Sequence, residues 1–376
     1  MIRGDLLERL ACPVCLEAEG CARCARPADA HAGCTDYASR AGCACGGPDK
    51  RRLIPADVGL RCPCCGVVYP IHEAEGYVDL APRTAAGELT QYADHEFHER
   101  LGVTDWAPVL SARVKADMMW RMLAPEAGQD VLDLGSGAGK LALYVQARGA
   151  RAVGLDVAPF FLPRAAASVA LVLGDLRRIP LRKGAIRRAY SLDVLEHLDE
   201  EGVREVLLEA RRTVGPDGCV FVYTHAMESS RLAGFQRAVN RLARRLGAAG
   251  LIDHEREALR KSDHRNAIRS HEHFESLCTG AGLRVAERRY YNVVAKAVVE
   301  DLLLRLYEQW RRRRATGPPR TAEHATQAAL AAPPRPPGRI ALAIAHALTW
   351  VLKLDVVLFG GIRTGPFFGL LRPRRS

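Results

Sequence analysis

The chain has 376 residues, 48% of them hydrophobic and 26% charged. Those are globular values, which exclude wholesale disorder and a fibrous repeat, and the length suits one catalytic domain with one or two small modules. The formal net charge is +11, yet residues 301–376 alone hold 13 Lys and Arg against 4 Asp and Glu. An excess so concentrated points to nucleic acid, to an acidic membrane surface, or to a solvated tail.

Met1–Leu10 carries Arg3, Asp5, Glu8 and Arg9 with no apolar run between them. No export signal is expected from that, and a cytoplasmic location, with or without peripheral membrane contact, is. Reduced cysteines are then expected to ligate metal rather than form disulfides. Residues 1–80 hold ten of the twelve cysteines. Cys12-Pro13-Val14-Cys15 and Cys62-Pro63-Cys64-Cys65 are two CPxC knuckles. Each places two thiolates on one side of a tight loop, and the four thiolates Cys12, Cys15, Cys62 and Cys65 suit a tetrahedral structural Zn²⁺. Such an ion replaces a core that about 80 residues can barely supply. Cys21 and Cys24, followed by Cys43 and Cys45, form a second candidate zinc site, with His31 and Cys34 competing for its last two positions. Cys64, Cys219 and Cys278 have no spacing partner, and Cys219 lies in an apolar run that reads as core.

The run Leu6–Cys15 followed by Leu60–Ile71 resembles the small zinc-ribbon activator of tRNA, rRNA and release-factor methyltransferases. The resemblance covers about residues 5–80 and departs at the Cys-rich insertion between the knuckles. It implies a module acting in cis on whatever follows.

Residues 81–128 read as an amphipathic helical linker or lid, clearest at Val109–Leu123. Residues 129–300 alternate apolar runs with helical patterns, as in a parallel α/β domain. Val131–Leu134 is a short apolar strand entering Gly135-Ser136-Gly137-Ala138-Gly139-Lys140. The glycines let backbone approach a ligand at a helix N-terminus. Lys140 stands where a dinucleotide fingerprint needs its third glycine, and Asp133 beside the turn suits an ammonium or sulfonium better than a pyrophosphate. Asp156 ends a second strand, where a carboxylate can accept from ribose hydroxyls. Asp175 ends a third strand, placed to accept from an adenine amino group, and Ala189–Leu192 forms a fourth.

This ordered series resembles the class I S-adenosylmethionine (SAM)-dependent methyltransferases, in the ubiquinone-methyltransferase-like, methyltransferase type 11 group. The expected fold is α/β, a Rossmann-like class I methyltransferase sheet with an N-terminal zinc-ribbon module. The resemblance implies Asp133, Gly135, Gly137 and Gly139 around the methionine portion of SAM, Asp156 on its ribose and Asp175 on its adenine. It also places Ser191-Leu192-Asp193-Val194-Leu195-Glu196-His197 along the methyl-transfer site, with Ser191 on the cofactor side. Asp193 and His197 are the candidate catalytic residues, His197 as base or as a shaping group.

After the fifth strand, Arg231, Arg237, Arg241, Arg244 and Arg245 interleave with apolar residues at helical spacing. His254, His264, His271 and His273 follow without metal-ligand spacing, so solvated lid residues are expected for most of them and a catalytic metal is not, while His271-Glu272-His273-Phe274 is expected to start the helix before strand six. Leu283–Tyr290 reads as strand six and Phe367–Leu371 as a last antiparallel strand. Residues 301–376 are basic, with a Pro-rich linker at 315–338. Ile340–Leu352 is apolar until Lys353 and Asp355, too short for a span of ~20 residues, and is expected to pack in the core, with membrane contact left open for 298–314. No transmembrane span is expected. A small-molecule or lipid-linked acceptor is favoured. An RNA acceptor is the alternative, supported by the ribbon and the basic balance but opposed by an aromatic share of only 6% and by the lack of an N-P-P-[YFW] tetrad after strand four. A non-catalytic SAM-binding scaffold is the third reading.

Overall fold

A computed structural model describes residues 4–17, 52–81, 107–252, 264–316 and 338–374. Cys21, Cys24, His31, Cys34, Cys43, Cys45 and His254 lie outside the described residues, as does most of the Pro-rich linker.

The organising element is a nine-stranded sheet. Its strands are β4 (Ile71–His72), β5 (Tyr77–Asp79), β6 (Asp130–Leu134), β7 (Arg151–Asp156), β8 (Ala170–Leu173), β9 (Arg188–Leu192), β10 (Cys219–His225), β11 (Leu283–Tyr290) and β12 (Pro366–Pro373). Their order is β11-β12-β10-β9-β6-β7-β8-β5-β4. β5 through β10 run parallel, and β12 is antiparallel to both β10 and β11. The chain moves outward from β6 through β7 to β8 and then returns to β9 on the other side of β6. That reversal opens a crevice at the carboxyl ends of β6 and β9, where ligands bind in open α/β sheets.

Alternation along the strands sorts side chains onto two cores. Leu132, Leu134, Val153, Leu155, Val220 and Val222 belong to one core, and Val131, Ala152, Phe221 and Tyr223 to the other. The first core includes the Glu200–Val214 and His271–Gly280 helices. The second includes the Leu110–Leu123 and Lys140–Gln146 helices and part of Arg339–Phe359.

The sheet crosses the expected boundary at residue 80. β5 pairs in parallel with β8, Tyr77 opposite Leu171 and Asp79 opposite Leu173. The cysteine module proper, with β1 (Ile54–Ala56), β2 (Gly59–Arg61) and β3 (Val68–Tyr69) in one small sheet, packs on the first core. Leu6, Leu10, Leu53 and Leu60 are buried there with Ile179, Leu181 and Ile186. Backbone bonds Ala11 N–H to Pro180 O (3.0 Å) and Arg182 N–H to Arg9 O (2.8 Å) stitch the module down, and Arg9 and Arg151 share the Asp130 carboxylate.

One expectation is corrected. The apolar segment near the C-terminus is a 21-residue helix, Arg339–Phe359, as long as a membrane span by length and composition. Lys353 and Asp355 do not end it, because both are turned toward the protein. Nor is the helix a core helix: Ile340, Ile344, Trp350, Leu354, Val357 and Leu358 are exposed. His271 starts the His271–Gly280 helix before β11, as expected, and is fully buried. Its Nε2 lies 2.8 Å from Thr364 O and its ring packs edge-on against Phe367 and Tyr290.

Candidate active site

The loop after β6 turns on glycines in the left-handed region. Gly135 (φ +80°) lies so close to Val194 that a Cβ would meet Val194 Cγ2 at 2.5 Å, so the loop and the exit of β9 need a side-chain-free contact. Gly137 (φ +51°) has open space where its Cβ would stand, a gap through which a ligand can reach backbone. Its N–H donates to Asp156 Oδ2 at 2.7 Å, while Asp156 Oδ1 accepts from Ala158 N–H at 3.0 Å. The carboxylate at the end of β7 is thus fixed against the glycine loop.

Asp133 is buried beside this loop, and its Oδ2 has no hydrogen-bond partner. Burial pushes its carboxyl up to about 8; the Tyr190 hydroxyl beside it pulls down and the Asp156 charge pushes up. A buried carboxylate oxygen without a partner is costly unless a cation arrives. Ser191 is also buried, with an unpartnered Oγ. This set (an orphaned carboxylate, an open glycine cradle and a second carboxylate one strand over) fits the ammonium and ribose of SAM. Asp175 has another partner: Arg177 forms a fork on both its oxygens, and Arg177 N–H caps it at 2.8 Å. An adenine amino group at Asp175 has to share that carboxylate.

The far side of the crevice is rich in proton-handling groups. Asp193, directly after β9, holds φ +55°, a strained position for a non-glycine residue. It pairs with Lys115 of the Leu110–Leu123 helix, whose ammonium also sits 4.8 Å from the Tyr223 ring centroid. Burial pushes the Asp193 carboxyl up, but the Lys115 charge prevails and holds it below the usual range. Asp193 is therefore a weak base and a fixed negative charge. His197 ends the Leu195–His197 turn, its ring edge-to-face with His264 at 4.8 Å. Glu196, His197 and His264 bring ligand atoms within 4.8 Å of one another, a grouping that sequence spacing did not show. Glu196 is buried, accepts from Thr224 Oγ1 at 3.2 Å, and lies 3.5 Å from His225 Nδ1 at the end of β10. Lys115 and His225 were not singled out in the sequence. The position of His225 at the carboxyl end of strand five was the available signal.

The four knuckle cysteines meet. Cys12 Sγ lies 3.6 Å from Cys65 Sγ, and Cys15 Sγ 3.6 Å from Cys62 Sγ, with all four within 4.8 Å of one another. Tetrahedral Zn–S bonds of about 2.3 Å imply S···S separations of about 3.8 Å, so the four sulfurs fit such an ion. The Tyr69 hydroxyl lies 3.0 Å from Cys12 Sγ, as an outer-shell group would.

Residues 131–218 match the family model described as a methyltransferase domain. No curated protein matches the chain by sequence. Among solved structures, phosphoethanolamine N-methyltransferase 2 of Haemonchus contortus, in complex with phosphomonomethylethanolamine and S-adenosylhomocysteine, is similar at 15% identity over 76% of this chain and 58% of that one, with a TM-score of 0.44. Cyclopropane synthase MmaA2 of Mycobacterium tuberculosis is similar at 16% identity over 78% and 99%, TM-score 0.44. A Haloferax volcanii complex between the Trm112 methyltransferase activator and a methyltransferase is similar at 22% identity over 47% and 74%, TM-score 0.33. The chain spans 58% and 60% of the length of the two Haemonchus enzyme chains it matches.

Proposed function

We propose that the chain transfers a methyl group from SAM to a small-molecule or lipid-linked acceptor, a reading supported by the methyltransferase-domain match over residues 131–218. One observation carries the reading. Asp133 and the glycine loop stand at the carboxyl end of β6, and a Glu–His–His–His cluster gathers past the carboxyl ends of the neighbouring β9 and β10. SAM supplies the activated methyl group on a sulfonium. The chain's own residues do the rest. Asp133 faces the ammonium of SAM, Asp156 the ribose, Asp175 the adenine, and Ser191 lines the floor. Glu196 lies beside His225, 3.5 Å from its Nδ1, and His225 is the ring that takes a proton from an O–H or N–H acceptor. His197 shapes the same end with His264. Asp193, neutralised by Lys115, holds the exit loop in position.

The cysteine module is a structural element in this reading, with one Zn²⁺ on Cys12, Cys15, Cys62 and Cys65. Its apolar residues are spent on the catalytic sheet, which supports a stabilising role in cis over RNA recognition. The test is acceptor fractionation: purified protein and methyl-labelled SAM are incubated with an extract of the host, then RNA, protein, lipid and small molecules are separated. Label in the lipid or small-molecule fraction supports the proposal. Ribonuclease-sensitive label in RNA replaces it with the RNA reading. SAM binding without label in any fraction replaces it with the scaffold reading.

A further inference from the structure

The Arg339–Phe359 helix is amphipathic the wrong way round. Thr349, Lys353 and Asp355 face the protein, while Arg339 and His346 are exposed. Thr349 Oγ1 accepts from Leu110 N–H at 2.9 Å, Lys353 pairs with Asp117 at 2.8 Å, and buried Asp355 accepts from Ala295 N–H at 2.9 Å and Lys296 N–H at 3.3 Å. Ile340, Ile344, Val351, Leu354 and Leu358 recur at spacings of four, seven, three and four residues, and all are exposed. A helix that is apolar on the side away from its own protein needs another apolar medium there. Trp350 is 70% exposed and Val357 75%.

The neighbouring helix continues the surface. The segment Val294–Thr316 starts where Asp355 accepts its first backbone N–H groups, and it exposes Leu303, Tyr307 and Trp310. Its sequence runs on into Arg311–Arg314. Exposed tryptophan and tyrosine beside arginine are what a headgroup–acyl boundary favours. Charge selects between occupants: the residues from 301 onward carry 13 Lys and Arg against 4 Asp and Glu, which repels a second copy of the chain and attracts acidic lipid.

We propose that the Arg339–Phe359 helix docks the protein onto an anionic bilayer, lying in the surface with its outer stripe among the acyl chains. It does not cross, because Thr349, Lys353 and Asp355 hold its inner stripe to the catalytic body. The docking goes beyond the proposed methyl transfer and holds whatever the acceptor is.

The test uses the full chain with vesicles of phosphatidylcholine alone and of phosphatidylcholine with phosphatidylglycerol at 3:1. Flotation is expected to recover protein with the anionic vesicles, less as salt rises. Tryptophan emission is expected to shift to the blue, and by less in Trp350→Phe, where Trp310 alone reports from the docked surface. Ile344→Glu and Val357→Glu are expected to weaken vesicle binding roughly tenfold or more, with melting temperature and SAM affinity by calorimetry unchanged. Those two readouts separate failure to dock from failure to fold or to bind SAM. No flotation with anionic vesicles overturns the proposal. So does a concentration-dependent dimer that the glutamate variants dissociate, since it identifies a second copy as the occupant.

Discussion

Lys115, from the Leu110–Leu123 helix that precedes β6, pairs with Asp193 at the exit of β9, 78 residues later in the chain. The pair joins the helical segment to the crevice and fixes a residue whose φ of +55° is costly to hold. Lys115→Met is expected to lower stability at pH 7 by about 1 kcal/mol or less, because the aspartate is partly exposed. Asp193 has a depressed native pKa. Its contribution is therefore present above the ordinary carboxylate range and is lost as pH falls through the native value. Chemical denaturation of the two proteins should converge at acid pH. A difference unchanged from pH 7 to acid pH would show that the ion pair is not its source.

Asp133 makes an opposite prediction. Its native carboxyl titrates near 8 against an ordinary 3.8, so the folded state without ligand binds a proton more tightly than the unfolded state. Its contribution is full below the ordinary value and is lost as pH rises toward 8. A bound ammonium reverses the preference and favours the carboxylate. SAM affinity should then rise from pH 6 toward about pH 8, above which the ligand's own α-ammonium deprotonates, with about one proton released per SAM bound at the lower end. Asp133→Asn should abolish the slope and weaken binding by roughly tenfold or more. Calorimetry in buffers of different ionisation heat counts the proton directly. A pH-independent affinity in the native protein would remove Asp133 from the ammonium site.

The cysteine module gives a metal count. Mass spectrometry of the purified chain should find one zinc that Cys12→Ser or Cys65→Ser removes, with a fall in melting temperature. Leu10, fully buried between the module and the sheet, offers a metal-independent comparison. Leu10→Ala should cost about 2–5 kcal/mol through the cavity it leaves while keeping the ion. A second zinc that survives loss of Cys12 would assign Cys21, Cys24, Cys43 and Cys45 to it. Zinc loss with no change in stability would end the structural role.

Local signals in the sequence were read well. β11 is Leu283–Tyr290 as its pattern implies, and the helix at Leu110–Leu123 lies within a residue of its amphipathic stretch. The glycine turn and its flanking carboxylates were legible because tight backbone approach leaves a residue-type mark at fixed spacing. Contacts set by topology left none. Tyr77–Asp79 looked like the tail of the cysteine module, yet its apolar residues suit the open edge of β8. Lys353 and Asp355 looked like breaks in an apolar segment. Their partners, Asp117 and the Ala295 backbone, are far along the chain, so nothing local told an inward-facing charge from an interruption. Glu196, His225 and His264 likewise meet only because β9 and β10 are neighbours and the chain returns past their carboxyl ends.

Catalytic weight within that cluster can be divided by substitution. Glu196 is buried, and His225 Nδ1 faces its Oε1 at 3.5 Å, so the two act as one unit if His225 is the base. His225→Asn should lower kcat about 10²-fold or more for an acceptor that loses a proton, and Glu196→Gln should lower it by a similar factor, with SAM affinity unchanged in both. The double variant should be scarcely slower than either single one, because members of a unit are not additive. His197→Gln should raise KM more than it lowers kcat, since in the proposal its ring packs with His264 to shape the acceptor end. The measurement is label transfer into whichever extract fraction accepts the methyl group, at saturating SAM, across pH 6 to 9. If His197→Gln alone abolished transfer while His225→Asn kept it, the base would be His197, and the Glu196–His225 pair would be a structural contact at the end of β10.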